Sequence, residues 1–243
     1  MPYRRLPNTD NARLKALRAA YKKGKDLPPF KLAYTQSTFQ RIQLFIHNFE
    51  QAIQRYKSVF DIQIENSKEY GNVAKKARIY ISHFIQVVNM AIQRGDLKPS
   101  VRLFYGLEED ASSIPPLATE KDLLQWGQKI IDGETQRNAK GMSPITNPTI
   151  ALVKVRFENF EEMYKQQKIF QQNTARAQAD LENIRKTADD IILNIWNEVE
   201  NTYKDLPDEL RREKAKEYGL VYVYRKNEIN GLSLLGRSMQ GIM

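Results

Sequence analysis

The sequence predicts an all-α protein, a helical bundle with a short β-hairpin or strand at the C-terminus. Two long stretches favour helix, because residues 150–205 contain no glycine or proline and residues 31–94 contain only Gly71. Within both stretches apolar residues recur at alternating intervals of four and three, the heptad spacing of packed helices. Residues 220–224 have the β-branched and aromatic composition of a strand, and Asn230-Gly231 can turn the chain back as a hairpin.

The first predicted helix is short and extends from about Asp10 to Lys23. Asn8 or Thr9 can cap its N-terminus, and Gly24 marks its expected end. A proline-containing loop leads into a long helical segment that begins near residue 37. The apolar stripe of this segment consists of Ile42, Ile46, Phe49, Ile53, Tyr56, Phe60, Val73, Ala77, Tyr80, Ile81, Phe84, Val88 and Ile92.

The second half of the chain repeats this order of elements. Thr119 can cap a second short helix that fades near Gly141, and Asn147-Pro148 can start a second long segment. This segment has two apolar stripes with a mostly polar stretch, residues 166–178, between them. The stripes consist of Val153, Phe157, Phe160 and Tyr164, and of Leu181, Ile184, Ala188, Ile191, Ile195 and Val199.

Near-constant shifts of the numbering relate the two halves, which predicts an internal repeat produced by tandem duplication. The aligned features are Thr9 with Thr119 at a shift of 110, Phe49 with Phe160 and Ala77 with Ala188 at 111, and Tyr-Gly-Leu at 105–107 with Tyr-Gly-Leu at 218–220 at 113. We therefore predict helical repeats at residues 1–116 and 117–225 that form one bundle, followed by a tail at 226–243.

Each long segment is compatible with two shapes. A single helix of about 58 residues would be roughly 85 Å long at 1.5 Å per residue, and the unbroken heptad phase favours it. Gly71-Asn72 in the first segment and the polar stretch around Asn173 in the second favour a hairpin of two helices. A pair of single helices of that length would have a thin core, so we predict two long helical hairpins accompanied by the two short helices.

The composition restricts the kinds of site that the chain can form. It contains no cysteine, which excludes disulfides, thiolate zinc sites, iron–sulfur clusters and a cysteine nucleophile. There is no secretory signal and no run of 18 apolar residues, so we expect a cytoplasmic protein without membrane insertion. The net charge is +9, and residues 1–36 alone hold nine Lys/Arg and two Asp, a net charge of +7.

Motifs that carry enzymatic chemistry are missing from the sequence. Neither a P-loop nor a Gly-x-Gly-x-x-Gly fingerprint is present, and no Gly-x-Ser-x-Gly elbow occurs. His47 and His83 do not follow a glutamate by three positions, as a di-iron bundle requires. We therefore predict no catalytic, cofactor-binding or metal-binding residues, and the sequence favours a non-enzymatic protein.

The basic N-terminal helix is the clearest functional feature of the sequence. Its cations surround an apolar face and would attract the phosphates of a nucleic acid. The main hypothesis is an interaction or scaffold protein that binds an unidentified protein partner or associates with itself. The first alternative is a non-specific nucleic-acid-binding protein, and the second is an enzyme or ligand carrier with an unusual site in a cavity of the bundle. The predicted contacts for anions or nucleic acid are Arg13, Lys15, Arg18, Lys22 and Lys23.

Overall fold

The computed structural model describes residues 2–224 and confirms the all-α class. Five α-helices occur within these residues: α1 (Asp10–Asp26), α2 (Gln36–Gln93), α3 (Glu120–Ala139), α4 (Ile150–Thr202) and α5 (Asp208–Lys216). Two short 3-10 segments, Pro29–Lys31 and Pro99–Tyr105, and two strands, β1 (Tyr3–Arg4) and β2 (Tyr222–Val223), complete the regular structure of the described residues.

The predicted caps position both short helices. The Thr9 side chain accepts a hydrogen bond from the Ala12 backbone N–H at 3.2 Å, and Thr119 and Asp122 form a reciprocal capping box. The end of α1 differs from the prediction, because the helix continues past Gly24 to Asp26. Gly24 has a packing role instead, since a Cβ there would lie 2.3 Å from the Phe39 ring.

The predicted helical hairpins are wrong, because each long segment is one continuous helix. α2 contains 58 residues and passes through Gly71, and α4 contains 53 residues and passes through its polar stretch. A glycine inside a helix costs only about 1 kcal/mol relative to alanine, which tertiary packing readily offsets. The polar stretch also remains bonded to α2: Gln167 donates to Ser67 Oγ at 2.7 Å, and Thr174 donates to the Val59 carbonyl oxygen at 3.4 Å.

The chain forms two compact units, neither of which coincides with a sequence repeat. Among the described residues, unit 1 holds 2–58 and 175–224, and unit 2 holds 59–174. Each unit therefore combines one short helix with the first half of one long helix and the second half of the other. The repeat boundary at residue 116 lies inside unit 2, and the duplication itself remains a prediction.

The short helices provide the third layer that a pair of long helices lacks. In unit 1, α1 inserts Leu17 into a cluster with residues of α2, α4 and the segment that follows α5. In unit 2, α3 inserts Leu123 and Ile130 into a corresponding cluster. The largest fully buried apolar side chains are Trp196, Tyr218, Phe49, Leu17 and Ile42 in unit 1, and Tyr105, Phe84, Phe160, Ile81, Ile85 and Leu123 in unit 2.

A two-stranded antiparallel sheet joins the first described residues to the last. Tyr3 pairs with Val223 and Arg4 with Tyr222, and the Arg5 N–H continues the ladder by donating to the Val221 carbonyl oxygen at 2.9 Å. The predicted C-terminal strand is thus confirmed, and its partner is β1. The turn predicted at residues 230–231 lies outside the described residues.

Candidate binding groove

A groove of about 510 Å³ opens on unit 1 between the N-terminal strand region, α1 and the segment around β2. Its floor is predominantly apolar, and Trp196 of α4 lies at its base. Ligand sites in proteins have this concave, mostly apolar character and volumes of about 300–1,000 Å³. The described residues that line it are Arg5, Leu6, Pro7, Asn8, Ala12, Lys15, Ala16, Ala19, Trp196, Lys216, Gly219, Leu220 and Val221.

Small side chains on one face of α1 keep the groove open. Ala12, Ala16 and Ala19 are spaced by four and three residues, so they lie on the same side of the helix. The chain crosses this face at Gly219, where a Cβ would lie only 2.9 Å from the Ala16 carbonyl oxygen. Gly219 also has a φ of +89°, a conformation that favours glycine. Both observations require glycine at this position.

Residues 5–8 form one wall of the groove. The strand pairing and contacts of Arg4 and Arg5 hold this wall in place. Arg4 donates from Nη1 to the Asn197 side-chain oxygen at 2.9 Å and to Glu200 at 3.0 Å. Its guanidinium carbon lies 5.9 Å from the centre of the Trp196 ring, within the range of a cation–π contact. The next residue, Arg5, is held by its backbone bond to Val221. The wall is therefore attached to α4 through Arg4 and to the segment around β2 through Arg5.

Three cations border the groove: Arg5, Lys15 and Lys216. All three are exposed, and none forms an ion pair within 4.0 Å with another residue of the part of the chain that the structure describes. The described lining contains no acidic residue. The groove thus presents positive charge beside an apolar floor, where attraction of an anion is less screened than on a flat surface.

The five cations predicted from the sequence do not form one binding surface. Three of them are bound to carboxylates of the same chain: Arg13 to Asp189, Arg18 to Glu50, and Lys23 to Glu217. Lys15 and Lys22 are exposed, and of the five only Lys15 lines the groove. The five predicted contacts did not include Arg5, Lys216 or the alanine face of α1. The alanine spacing was visible, but its opposing wall lies about 200 residues away in the sequence.

The Lys23–Glu217 ion pair is close enough to change the ionisation of both groups. Lys23 Nζ lies 2.5 Å from Glu217 Oε2. The hydrogen bond to Glu217 raises the pKa of Lys23, and the same bond lowers the pKa of Glu217. Both groups are therefore charged near neutral pH, and each is bound to the other. Lys23 is in this way committed to a contact within the protein.

A buried cluster of hydrogen-bonded polar groups in unit 2 is centred on Glu134. Glu134 accepts hydrogen bonds from Arg137, from the Tyr105 hydroxyl and from the Ile145 backbone N–H. Burial opposes ionisation of Glu134, but these bonds outweigh it and lower the pKa of the carboxyl group. Arg137 also donates to the Ser143 carbonyl oxygen at 2.6 Å. The cluster thereby attaches the segment after α3 to the helix.

Metal binding and membrane insertion have no support in the structure of residues 2–224. No group of three or more His, Asp or Glu side chains in this range has the proximity that a metal ion needs. His47 shares a hydrogen bond of 2.8 Å with Gln51 on the next turn of α2. None of the helices that the structure describes is long and apolar enough to cross a membrane.

Comparison with known proteins identifies no relative: no family model matches the chain, and neither a curated protein nor a solved structure is significantly similar to it.

Proposed function

We propose that this protein is a non-enzymatic interaction protein that binds an acidic, partly apolar segment of a partner protein in the groove of unit 1. The observation that carries the proposal is the combination of an apolar floor with Arg5, Lys15 and Lys216 at its border. A partner segment with apolar and acidic side chains matches both properties at once. Apolar contact would supply most of the affinity, and the charges would select an acidic partner.

Two titratable groups with shifted pKa values, Tyr105 and Glu217, form contacts within the fold. Burial, and then its hydrogen bond to Glu134, raises the pKa of Tyr105, and the hydrogen bond from Lys23 lowers that of Glu217. Each of these groups is bound to a partner within its own unit. Both interactions stabilise the fold, and neither Tyr105 nor Glu217 lines the groove.

Nucleic-acid binding through α1 has less support from the geometry. Phosphates would have to compete with the carboxylates that already bind Arg13, Arg18 and Lys23. Lys15 and Lys22 are the two remaining cations of the predicted set. Because electrostatic affinity for DNA increases with the number of phosphates neutralised, two lysines that form no ion pair within residues 2–224 provide weak binding.

Duplication is proposed as the origin of the two sequence repeats, residues 1–116 and 117–225. Aligned positions have the same structural roles: Tyr105 and Tyr218 are both buried, and the glycine after each has a positive φ, +67° at Gly106 and +89° at Gly219. Phe49 of unit 1 and its aligned residue in unit 2 are also both fully buried. These shared features support a common ancestor of the two repeats.

Selection from a displayed library of random dodecapeptides tests the proposed binding function. We expect enriched peptides to combine acidic and apolar residues. Binding should fall about two- to thirtyfold in the variant Lys15→Gln/Lys216→Gln, since each exposed ion pair contributes about 0.2–1 kcal/mol. The control variant Lys22→Gln/Lys121→Gln removes the same charge from exposed positions outside the groove. Enrichment of basic or uncharged peptides, or equal binding to both double variants, would contradict the proposal.

A further inference from the structure

We infer that the partner segment inserts one aromatic side chain into the groove of unit 1, with acidic residues on either side of it. This inference rests on the proposed function and specifies the chemistry of its ligand. It is based on a comparison between corresponding positions of the two units, which differ at the groove.

The two short helices begin in the same way, which fixes their correspondence. Thr9 caps α1 by accepting from the Ala12 N–H at 3.2 Å, and Thr119 caps α3 by accepting from the Asp122 N–H at 3.1 Å. Both bonds join the cap to the third residue of the helix. Counting from the caps, each position of α1 corresponds to the position 110 residues later in α3.

The chain that crosses each short helix confirms this register. In unit 1 a Cβ at Gly219 would contact Ala16 and Ala19. In unit 2 a Cβ at Gly106 would contact the Lys129 side chain, at 3.6 Å from its Cδ atom. Lys129 is the residue that corresponds to Ala19. The two glycines therefore cross the same turn of their helices.

Large side chains occupy in unit 2 the positions that alanines occupy in unit 1. Ala16 corresponds to Trp126 and Ala19 to Lys129. Trp126 packs against the hydrophobic cluster of unit 2, and Lys129 Nζ lies 4.4 Å from the centre of its ring. Unit 2 thus covers this face with its own indole ring and a cation, whereas unit 1 has a groove there.

An aromatic side chain from a partner would cover the alanine face of α1 in unit 1, as Trp126 covers the corresponding face of α3 in unit 2. Aromatic side chains bury about 150–250 Å² each and gain further energy from a neighbouring cation. Arg5, Lys15 and Lys216 border the space and correspond in function to Lys129. With three cations and no acidic residue among the described lining, the groove favours carboxylates beside the inserted ring.

Isothermal titration of the full chain with three synthetic peptides tests this inference. The peptides are acetylated, amidated pentapeptides: Glu-Asp-Trp-Glu-Asp, the same peptide with leucine at its centre, and Lys-Lys-Trp-Lys-Lys. We expect the acidic tryptophan peptide to bind at least about fivefold more tightly than the leucine peptide, given the additional aromatic and cation–π energy. The basic peptide should not bind.

Variants that reproduce the filled face of unit 2 provide the second part of the test. Ala16→Trp and Ala19→Lys should each abolish binding of the acidic tryptophan peptide. Ala16 is buried, so a folding defect in that variant is checked by circular dichroism, and Ala19→Lys at a half-buried position gives an independent result. Lys22→Trp adds the same ring to an exposed position of α1 outside the groove and should bind as the unmodified protein does.

The outcomes separate this inference from the proposed function. Equal affinity for the tryptophan and leucine peptides, lost in Lys15→Gln/Lys216→Gln, would overturn the aromatic inference and leave the proposed function standing. Absence of binding by any acidic peptide would overturn both. Binding that requires deletion of residues 225–243 would show that the chain itself occupies the groove. If the protein is a dimer and Ala16→Trp converts it to a monomer, the occupant is a second copy of the chain. Occupation of the groove by the chain itself or by a second copy would each overturn the inference.

Discussion

Arg13 of α1 and Asp189 of α4 form a two-point salt bridge, with distances of 2.7 Å from Nε to Oδ1 and 2.9 Å from Nη2 to Oδ2. Asp10, at the start of α1, receives an equivalent pair of hydrogen bonds from Arg185, both of 2.7 Å. Two ion pairs therefore attach the first turn of α1 to α4, one with its arginine on α1 and the other with its arginine on α4. The basic character of the N-terminal helix serves this attachment in part.

Because Arg13, Arg18 and Lys23 already bind carboxylates of the same chain, we expect α1 to bind nucleic acid weakly. If Lys15 and Lys22 alone contact phosphates, the slope of log affinity against log salt concentration on duplex DNA should be roughly −2, at about 0.9 per phosphate. The measurement is a titration with mixed-sequence DNA starting at about 50 mM salt, where electrostatic binding is strong. A slope between about −3 and −5 would show instead that Arg13, Arg18 and Lys23 exchange their carboxylates for phosphates.

Glu134 should make the protein sensitive to acid. Its pKa is lower in the folded protein than in the unfolded chain, so its contribution to stability is fully present above the unfolded value of about 4.3. That contribution is lost as the pH falls through the folded pKa. Urea unfolding followed from pH 7 to pH 3 should show a decrease in the free energy of unfolding over the acidic part of this range.

The variant Glu134→Gln tests the origin of this dependence. It leaves the buried Arg137 charge without its counterion and should cost about 3–5 kcal/mol at pH 7. Its stability should also change less with pH below about 4.3 than that of the unmodified protein. Glu209→Gln, at an exposed position, is the control and should keep both the stability and its pH dependence. A Glu134→Gln variant with unchanged stability would contradict the assigned role.

Two glycines should respond to alanine in opposite directions. Gly71 lies inside α2, and a Cβ there would meet nothing within 4 Å, so Gly71→Ala should stabilise the protein by about 0.5–1 kcal/mol. Gly219→Ala should destabilise it by at least about 1–2 kcal/mol, because of its positive φ and the nearby Ala16 backbone. Thermal unfolding measures both. Destabilisation by Gly71→Ala would indicate a turn in place of continuous helix.

The aligned phenylalanines provide one test for each core. Phe49 in unit 1 and Phe160 in unit 2 are fully buried, and each change to alanine should cost about 3–5 kcal/mol. Phe30 is 84% exposed, so Phe30→Ala should change stability by no more than about 0.5 kcal/mol. Chemical denaturation compares the three variants. A small effect at Phe49 or Phe160 would mean that the corresponding stripe is not buried.

Features that depend on neighbouring residues were predictable from the sequence. The caps Thr9 and Thr119 act on the first turn that follows them, and both are present. The alternating apolar spacing identified Phe49 and Phe84 as core residues because a continuous helix keeps one stripe on one side. The break expected at Gly71 was wrong, since the weak local preference of one glycine cannot offset the packing on either side of it.

Features that depend on distant residues were not predictable in this way. β1 has only two residues, and its partner Tyr222 lies more than 200 positions away. The charges on α1 were visible, but Asp189, which binds Arg13, could be located only after the helices were placed. The groove needs residues 5–8, α1 and residues 216–221 together, so no local pattern of the sequence describes it.

The order in which the two units can form during synthesis follows from the residue ranges that each unit contains. Unit 2 is one uninterrupted stretch, residues 59–174, whereas unit 1 joins residues 2–58 to residues 175–224. At about 5–20 residues per second, the ribosome needs roughly 6–23 s to pass through the intervening stretch. During that time α1 and the first half of α2 lack the α4 residues that bury Leu17 and Phe49. We expect unit 2 to be able to fold while the chain is still being synthesised. The apolar face of α1 should stay exposed until the last part of the chain emerges, and a chaperone can protect it from aggregation during that time.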